Sequence, residues 1–138
     1  MRSKLVSFLF VLLATFTSET IASGLYAIPV DVSSETELRD WGSSQLGGAT
    51  FQKIKIGDKE LLAILIDSGS GVSRMGAYVY VREASSWKLL LVRLTNSWTL
   101  ELVADSDQKN LVLRSKQGQV YATIPVATLG AGFMPPRD

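Results

Sequence analysis

The segment GAYVYVREASSWKLLLVRLT, residues 76–95, decides the fold class of this chain. From Gly76 to Glu83 the side chains alternate with a period of two, which is typical of a β-strand with two different faces. The alternation predicts two opposite sets: Ala77, Val79 and Val81 on one face, and Tyr78, Tyr80 and Arg82 on the other. The turn after Glu83 is too short for a helical crossover, so we expect Trp87 to Thr95 to return as an antiparallel partner.

Short apolar segments separated by turn residues continue on both sides of this hairpin. Those predicted as strands are Phe51–Ile56, Leu61–Asp67, Gly76–Glu83, Trp87–Thr95, Trp98–Ala104, Asn110–Lys116 and Gln119–Val126. The connections are short, so successive strands should pair as hairpins. The sequence therefore predicts a mainly β fold: an antiparallel meander of about seven strands, curved or barrel-like, with one short N-terminal helix.

Two segments lack the alternation and are apolar throughout, Leu61 to Ile66 and Leu89 to Val92. This pattern is typical of strands that are covered on both faces. Pro125 cannot donate a hydrogen bond to a neighbouring strand, which predicts an edge position for the last strand. The glycines and prolines that follow predict an irregular C-terminal tail over residues 127–138, outside a single domain of residues 23–126.

The one predicted helix runs from about Glu35 to Ser44. Ser34 and Glu37 have the spacing of a capping box, in which the serine oxygen accepts from the first turn of the helix. Leu38 and Trp41 fall on one helical face, so we expect them to dock the helix on the sheet.

The N-terminus has the pattern of a secretory signal peptide. A basic start at Arg2 and Lys4 precedes an apolar run, and Ala22 supplies a small residue for cleavage, so residues 1–22 are predicted to be removed. The signal would carry away Arg2, Lys4 and Glu19 from the 14 basic and 13 acidic residues, leaving 12 of each. The predicted location is the periplasm or the secreted fraction, with no membrane span after cleavage.

Composition excludes several classes of function. The chain contains no histidine and no cysteine, which removes the Ser-His-Asp and Cys-His nucleophile systems and the usual ligand sets for zinc, haem and copper. A mature domain of balanced charge lacks the basic patch with which proteins bind nucleic acid. We therefore expect no cofactor, no metal and no enzymatic activity.

One motif points in another direction. Leu65-Ile66-Asp67-Ser68-Gly69-Ser70 resembles the Asp-Ser/Thr-Gly-Ser/Thr signature of aspartic proteases, and Lys53 to Ile64 resembles the hairpin that precedes it in retropepsins. The resemblance implies a homodimer in which two copies of Asp67 share a proton and a water. The same residues also suit a strand that ends in a turn, because Asp, Ser and Gly favour turns.

Two polar loops are candidate ligand sites. Ser70 to Met75, with Gly71 and Arg74, forms a long loop that suits contact with a protein better than a phosphate, because a strand rather than a helix follows it. Asp105 to Asn110 lacks the ligand pattern of a calcium loop and is predicted to be a polar turn.

Tyrosine and arginine are frequent at protein-binding hot spots, which makes the second face of residues 76–83 a candidate surface. The predicted partner-binding residues are Tyr78, Tyr80, Arg82, Arg74, Ser70 and Gly71. We expect Trp87 and Trp98, which flank turns, to cover the ends of the core. The predicted function is a non-enzymatic binding domain, such as an inhibitor or immunity protein; the alternatives are a retropepsin-like protease and a structural subunit of an envelope complex.

Overall fold

The computed structural model describes residues 20–23, 26–67 and 74–130, which fall into two compact units, Met1–Asp31 and Val32–Asp138. In the first unit, β1 (Thr20–Ser23) pairs antiparallel with β2 (Tyr26–Pro29), with Ala22 opposite Ala27. Cleavage after Ala22 would remove most of β1. The signal-peptide prediction otherwise lies outside the described residues.

The described residues of the second unit form a large antiparallel sheet and one α-helix. In chain order its elements are β3 (Asp31–Val32), which begins at the last residue of the first unit, α1 (Glu35–Ser43), β4 (Ala49–Ile56), β5 (Lys59–Asp67), β6 (Met75–Glu83) and β7 (Ser86–Thr95). The spatial order of the strands is β3-β7-β6-β5-β4. The predicted hairpin at residues 76–95 is confirmed, with Tyr78 opposite Val92 and Glu83 opposite Ser86.

A second, smaller antiparallel sheet follows. It consists of β8 (Glu101–Ala104), β9 (Asn110–Arg114) and β10 (Val120–Pro125) in the order β10-β9-β8. Over the described residues, the mainly β, antiparallel fold with one α-helix is therefore confirmed, with a sheet of five strands and one of three strands in the second unit and a sheet of two strands in the first. Pro125 lies on an edge strand, as its missing N–H requires.

The predicted strand Trp98–Ala104 is shorter in the structure and begins at Glu101. Residues 96–100 instead carry the chain from the large sheet to the small one. The local cause is a polar turn, in which Ser97 Oγ donates to Thr99 O at 2.7 Å and accepts from Thr99 N at 3.3 Å.

The main hydrophobic core contains residues from the large and the small sheet of the second unit. Its buried residues are Ile56, Leu61, Ala63, Leu65, Ala77, Val79, Val81, Leu90, Leu91, Leu100, Leu102, Leu111, Leu113, Ile124 and Leu129. The face of β6 that was predicted to be apolar therefore packs in this core. Leu129 follows a 3-10 turn at Val126–Thr128 and is fully buried, so the packed chain extends beyond residue 126.

The opposite face of the large sheet lies under α1. The helix begins as predicted, with Ser34 Oγ accepting from Glu37 N at 3.2 Å. Leu38 is fully buried, and a Cβ on Gly42 would lie 2.9 Å from Ile64 Cγ2, which shows how closely the helix approaches β5. The prediction that α1 docks on the sheet is correct.

The burial of residues on this face overturns one prediction. Tyr80 was expected to face solvent, but its side chain is fully buried, and Tyr78 is half-buried with its ring edge against Trp41 at 5.2 Å between centroids. Burial raises the pKa of both phenols. Alternation correctly assigned the two faces of β6, but the expectation that the tyrosine face is exposed to solvent was wrong. The neighbouring strand β5 is apolar throughout, and that pattern already predicted that both faces of the sheet are covered.

Candidate binding site around Trp98

Of the residues predicted to bind a partner, those that the structure describes do not form one surface. Ser70 and Gly71 lie outside the described residues, and Tyr80 is buried. Arg74 and Arg82 stand at opposite ends of β6, about 26 Å apart for an extended strand. A binding site that uses one of these arginines must therefore lie at one end of β6 or at the other.

At the Arg82 end, charges are paired with one another. Arg82 Nη1 lies 3.6 Å from Glu60 Oε1, and Lys53 Nζ lies 3.5 Å from the same oxygen. A cavity of about 290 Å³ opens here between Lys55, Asp58, Glu60, Arg82 and Ala84. The positive charges of Lys55 and Arg82 are balanced by the negative charges of Asp58 and Glu60, so the cavity favours neither an anionic nor a cationic ligand.

The same network continues onto α1. Glu35 accepts from Lys53 Nζ at 2.7 Å and from Arg39 Nε at 2.7 Å. Hydrogen bonds from these cations lower the pKa of the Glu35 carboxyl, and the bond to Glu35 raises the pKa of Lys53. Arg39 also lies over the ring of Phe51, 5.0 Å from its centroid. These contacts join α1 to β4, so we interpret them as stabilising the fold rather than forming a ligand-binding site.

Asp67 is the last residue of β5 and its side chain is exposed. Its backbone N–H donates to Gly48 O at 3.3 Å. A Cβ on Gly47 would lie 1.4 Å from Asp67 O, so the glycine allows the backbone after α1 to approach this strand end. Ser68 to Ser70, the rest of the protease-like signature, lie outside the described residues.

The Asp105 loop is a turn, as expected. One carboxylate oxygen of Asp105 accepts from the backbone N–H groups of Lys109 and Asn110, at 2.9 and 3.1 Å, and the other accepts from Asn110 Nδ2 at 2.9 Å. Hydrogen bonds from Asn110 lower the pKa of the Asp105 carboxyl. Within residues 20–23, 26–67 and 74–130, no cluster of three or more acidic side chains could hold a metal ion.

The Arg74 end of β6 carries a different arrangement. The guanidinium of Arg74 lies over the ring of Trp98, 3.9 Å from its centroid, and Trp98 is 68% exposed. Trp98 therefore does not cover the core, whereas Trp87 is buried as expected. An indole stacked on a guanidinium presents a flat apolar surface with one polar edge, which is a common binding element.

Trp98 borders a groove of about 420 Å³, which we name the Trp98 groove. Its lining residues are Asn96, Ser97, Trp98, Ser115, Gln117, Gln119 and Tyr121. They come from the crossing between the two sheets, from the β9–β10 turn and from the start of β10. Among the described residues, the lining contains two aromatic rings and several amides and hydroxyls, and none of its side chains is charged.

Buried hydrogen bonds hold the walls of the groove. Thr95 is 5% exposed; its Oγ1 donates to Met75 O at 2.9 Å and accepts from Ser97 N at 3.2 Å. On the other wall, Ser115 Oγ accepts from Gln119 N at 3.0 Å, and Gly118 turns the chain with a φ of +100°. The groove is therefore formed by short, internally bonded segments on the ends of strands.

The amides of the groove are oriented by bonds to their oxygens. Tyr121 donates its hydroxyl proton to Asn96 Oδ1 at 3.3 Å, and Thr99 Oγ1 donates to Gln117 Oε1 at 3.2 Å. Asn96 Nδ2 and Gln117 Nε2 thus point their N–H groups elsewhere, and neither donates to another described residue. Amide and hydroxyl groups beside aromatic rings suit recognition of a polar ligand.

Sequence reasoning found Arg74 but missed the rest of this site. Asn96 and Tyr121 are far apart in the chain, and only the crossing between the sheets brings them together. Asn96-Ser97-Trp98 was a possible signal, since a large aromatic residue stands there among turn-forming residues.

Comparison with protein-family models, with curated proteins and with solved structures finds no match to this chain. Among the described residues, no helix has the length and apolar character needed to cross a membrane.

Proposed function

We propose that this chain is an exported, non-enzymatic binding domain that holds another protein at the Trp98 groove. The observation that carries the proposal is the exposed indole of Trp98, stacked by Arg74 beside Tyr121 and a rim of uncharged polar groups. The signal-peptide pattern of residues 1–22 supports export.

Tryptophan, tyrosine and arginine are the residue types that most often act as binding hot spots. All three meet at this end of the domain, and a large apolar ring left open to water gains free energy when a partner covers it. The internally bonded walls also reduce the conformational entropy that ordering the site on binding would cost.

The chemistry of the groove favours binding over catalysis. Its lining offers hydroxyls, amides and aromatic rings, while a nucleophile needs an adjacent base, for which this histidine-free chain has only carboxylates and lysines. An inhibitor or immunity protein needs only a rigid complementary surface.

A capture experiment tests the proposal with a matched pair of variants. The exported protein, Trp98→Ala and Leu46→Ala are each immobilised and exposed to envelope extract. Leu46 follows α1 and is 87% exposed, so it controls for the loss of an exposed apolar side chain elsewhere.

We expect one protein to bind the parent and Leu46→Ala and to be lost with Trp98→Ala. Its affinity, measured after purification, should fall about thirtyfold with Trp98→Ala, the effect of a hot spot of about 2 kcal/mol. Equal capture by all three proteins contradicts the proposal. Mass spectrometry of the exported form should place its first residue at or near Ser23, and an intact Met1 end would remove the support for export.

A further inference from the structure

We propose that two copies of this chain associate through the edge of β4, whose antiparallel pairing with itself joins their large sheets into one. The inference concerns a surface other than the Trp98 groove and does not rest on the proposed function. The observation that points to it is a long, regular strand edge beside charges that complement one another when the edge meets a second copy of itself.

β4 directs the backbone groups of every second residue away from β5, its neighbour in the large sheet. At the start of β4, Gly48 O accepts from Asp67 N at 3.3 Å, and in an antiparallel pair such hydrogen-bonded positions alternate with positions that point outward. The outward N–H and C=O groups are those of Ala49, Phe51, Lys53 and Lys55. Among the described residues, no backbone group outside the sheet bonds to them.

The other terminal strands of the second unit are shorter, interrupted or already bonded. β3 has two residues, while β10 has a register shift between Val120 and Ala122 and ends at Pro125, which has no N–H. On β8, the backbone groups of Leu102 are bonded by the side chain of Gln52. β4 runs for eight residues without a register shift, so among these strands it offers the longest regular edge for another strand.

A second copy of β4 fits this edge in an antiparallel register centred on Gln52. In that register Phe51 lies opposite Lys53 of the second copy. Ala49 likewise lies opposite Lys55, so the outward backbone groups of both strands find partners along the whole edge. No lysine lies directly opposite another lysine, a pairing that would be destabilising. The ring of Phe51, which is half-buried in one copy, would lose further contact with water.

Charges on α1 complement one another in the same register. Glu35 lies 2.7 Å from Lys53 Nζ, and Arg39 lies over the ring of Phe51, 5.0 Å from its centroid. Because Lys53 of one copy lies opposite Phe51 of the other, Glu35 comes beside Arg39 of the second copy. The two-fold axis repeats this contact, and both side chains are partly exposed and free to reach across. This self-complementarity favours a second copy over an unrelated strand as the occupant of the edge.

Sedimentation equilibrium of the exported protein over increasing concentration tests whether the dimer forms. We expect an equilibrium between monomer and dimer. Lys55→Pro removes an outward N–H that makes no bond to β5, and proline is tolerated on an edge strand. The dimer loses that hydrogen bond twice by symmetry, so its dissociation constant should rise about thirtyfold.

Lys55→Ala is the matched control, because it removes the same side chain and keeps the N–H. It should change the dissociation constant by less than about threefold, the effect of an exposed charge. A monomer at every concentration, or a dimer that Lys55→Pro and Lys55→Ala affect equally, overturns the inference.

Two charge-reversed variants test the register. Arg39→Glu sets carboxylates against each other across the axis, and Glu35→Lys does the same with cations, so each variant alone should dimerise about tenfold more weakly than the parent or worse. In an equimolar mixture each reversed charge meets an opposite charge, and a mixed dimer should form. Native mass spectrometry with one variant isotopically labelled detects it.

Thermal unfolding of each charge-reversed variant alone shows whether it is folded. The absence of a mixed dimer from two folded variants places the contact elsewhere and overturns the inference. If Glu35→Lys does not fold because it loses its bond to Lys53, the comparison of Lys55→Pro with Lys55→Ala decides by itself.

Discussion

The side-chain amide of Gln52 pairs with both backbone polar groups of Leu102. Gln52 Nε2 donates to Leu102 O at 2.6 Å, and Leu102 N donates to Gln52 Oε1 at 2.9 Å. Gln52 lies on β4, at the edge of the large sheet, and Leu102 on β8, at the edge of the small one. A glutamine side chain thus takes the place of a strand partner where the two sheets meet, and it satisfies backbone groups whose burial without a partner would be costly.

Gln52→Glu should destabilise the protein by about 2 kcal/mol at neutral pH, because a carboxylate cannot donate to Leu102 O and leaves it unpaired. The new carboxyl must be protonated to restore the bond, so its pKa in the folded state is raised. The bond is therefore present below the ordinary glutamate pKa of about 4.3 and lost as the pH rises through the folded pKa. Urea unfolding of variant and parent at pH 7 and near pH 3.5 should show a difference that shrinks on acidification, and a constant difference would contradict this account.

Tyr80→Ala should cost about 3–5 kcal/mol, the effect of removing a large buried ring from a packed interface. Tyr80→Phe keeps the ring and should cost much less. Arg82→Ala, two residues along the strand at an exposed ion pair, should change stability by less than about 1 kcal/mol. Thermal unfolding of the three variants checks the order, and a near-neutral Tyr80→Ala would place this face in solvent.

Glu35 should contribute to the acid sensitivity of the fold. Its pKa is lowered by Lys53 and Arg39, so its stabilisation is present above the ordinary glutamate pKa and is lost as the pH falls through the lowered value. Glu35→Gln should be less stable than the parent at neutral pH and should approach it in acid. Parallel pH profiles for Glu35→Gln and the parent would refute the role of this pair, and Glu37→Gln in the first turn of α1 serves as the control.

Arg74→Ala should weaken partner binding more than it weakens the fold. The guanidinium stacks on an exposed ring, a contact worth about 0.5–1 kcal/mol, and its loss lets Trp98 leave its binding orientation. We expect a severalfold loss of affinity with little change in melting temperature. Arg74→Lys keeps the charge but not the flat stacking group and should be intermediate.

Asp67→Asn should leave partner capture intact, because Asp67 lies at a strand end outside the Trp98 groove. The variant also tests the protease alternative, which needs two Asp67 carboxylates within hydrogen-bond reach across a dimer axis. Peptide cleavage at acid pH by the parent, abolished by Asp67→Asn, would replace the proposed binding function.

What the sequence determined by itself was local. Alternation, turn residues and the Ser34 cap are properties of neighbouring residues, so they located α1 and the hairpins to within a few residues, and the unbroken apolar run of β5 correctly indicated cover on both faces. The tertiary structure decided which faces meet. Tyr80 is buried on the face of the large sheet on which α1 lies, and the period of β6 does not encode the burial of that face. The Trp98 groove exists because the chain crosses between sheets at residues 96–100 and returns at residues 115–121, and long-range packing, not local preference, brings those segments together.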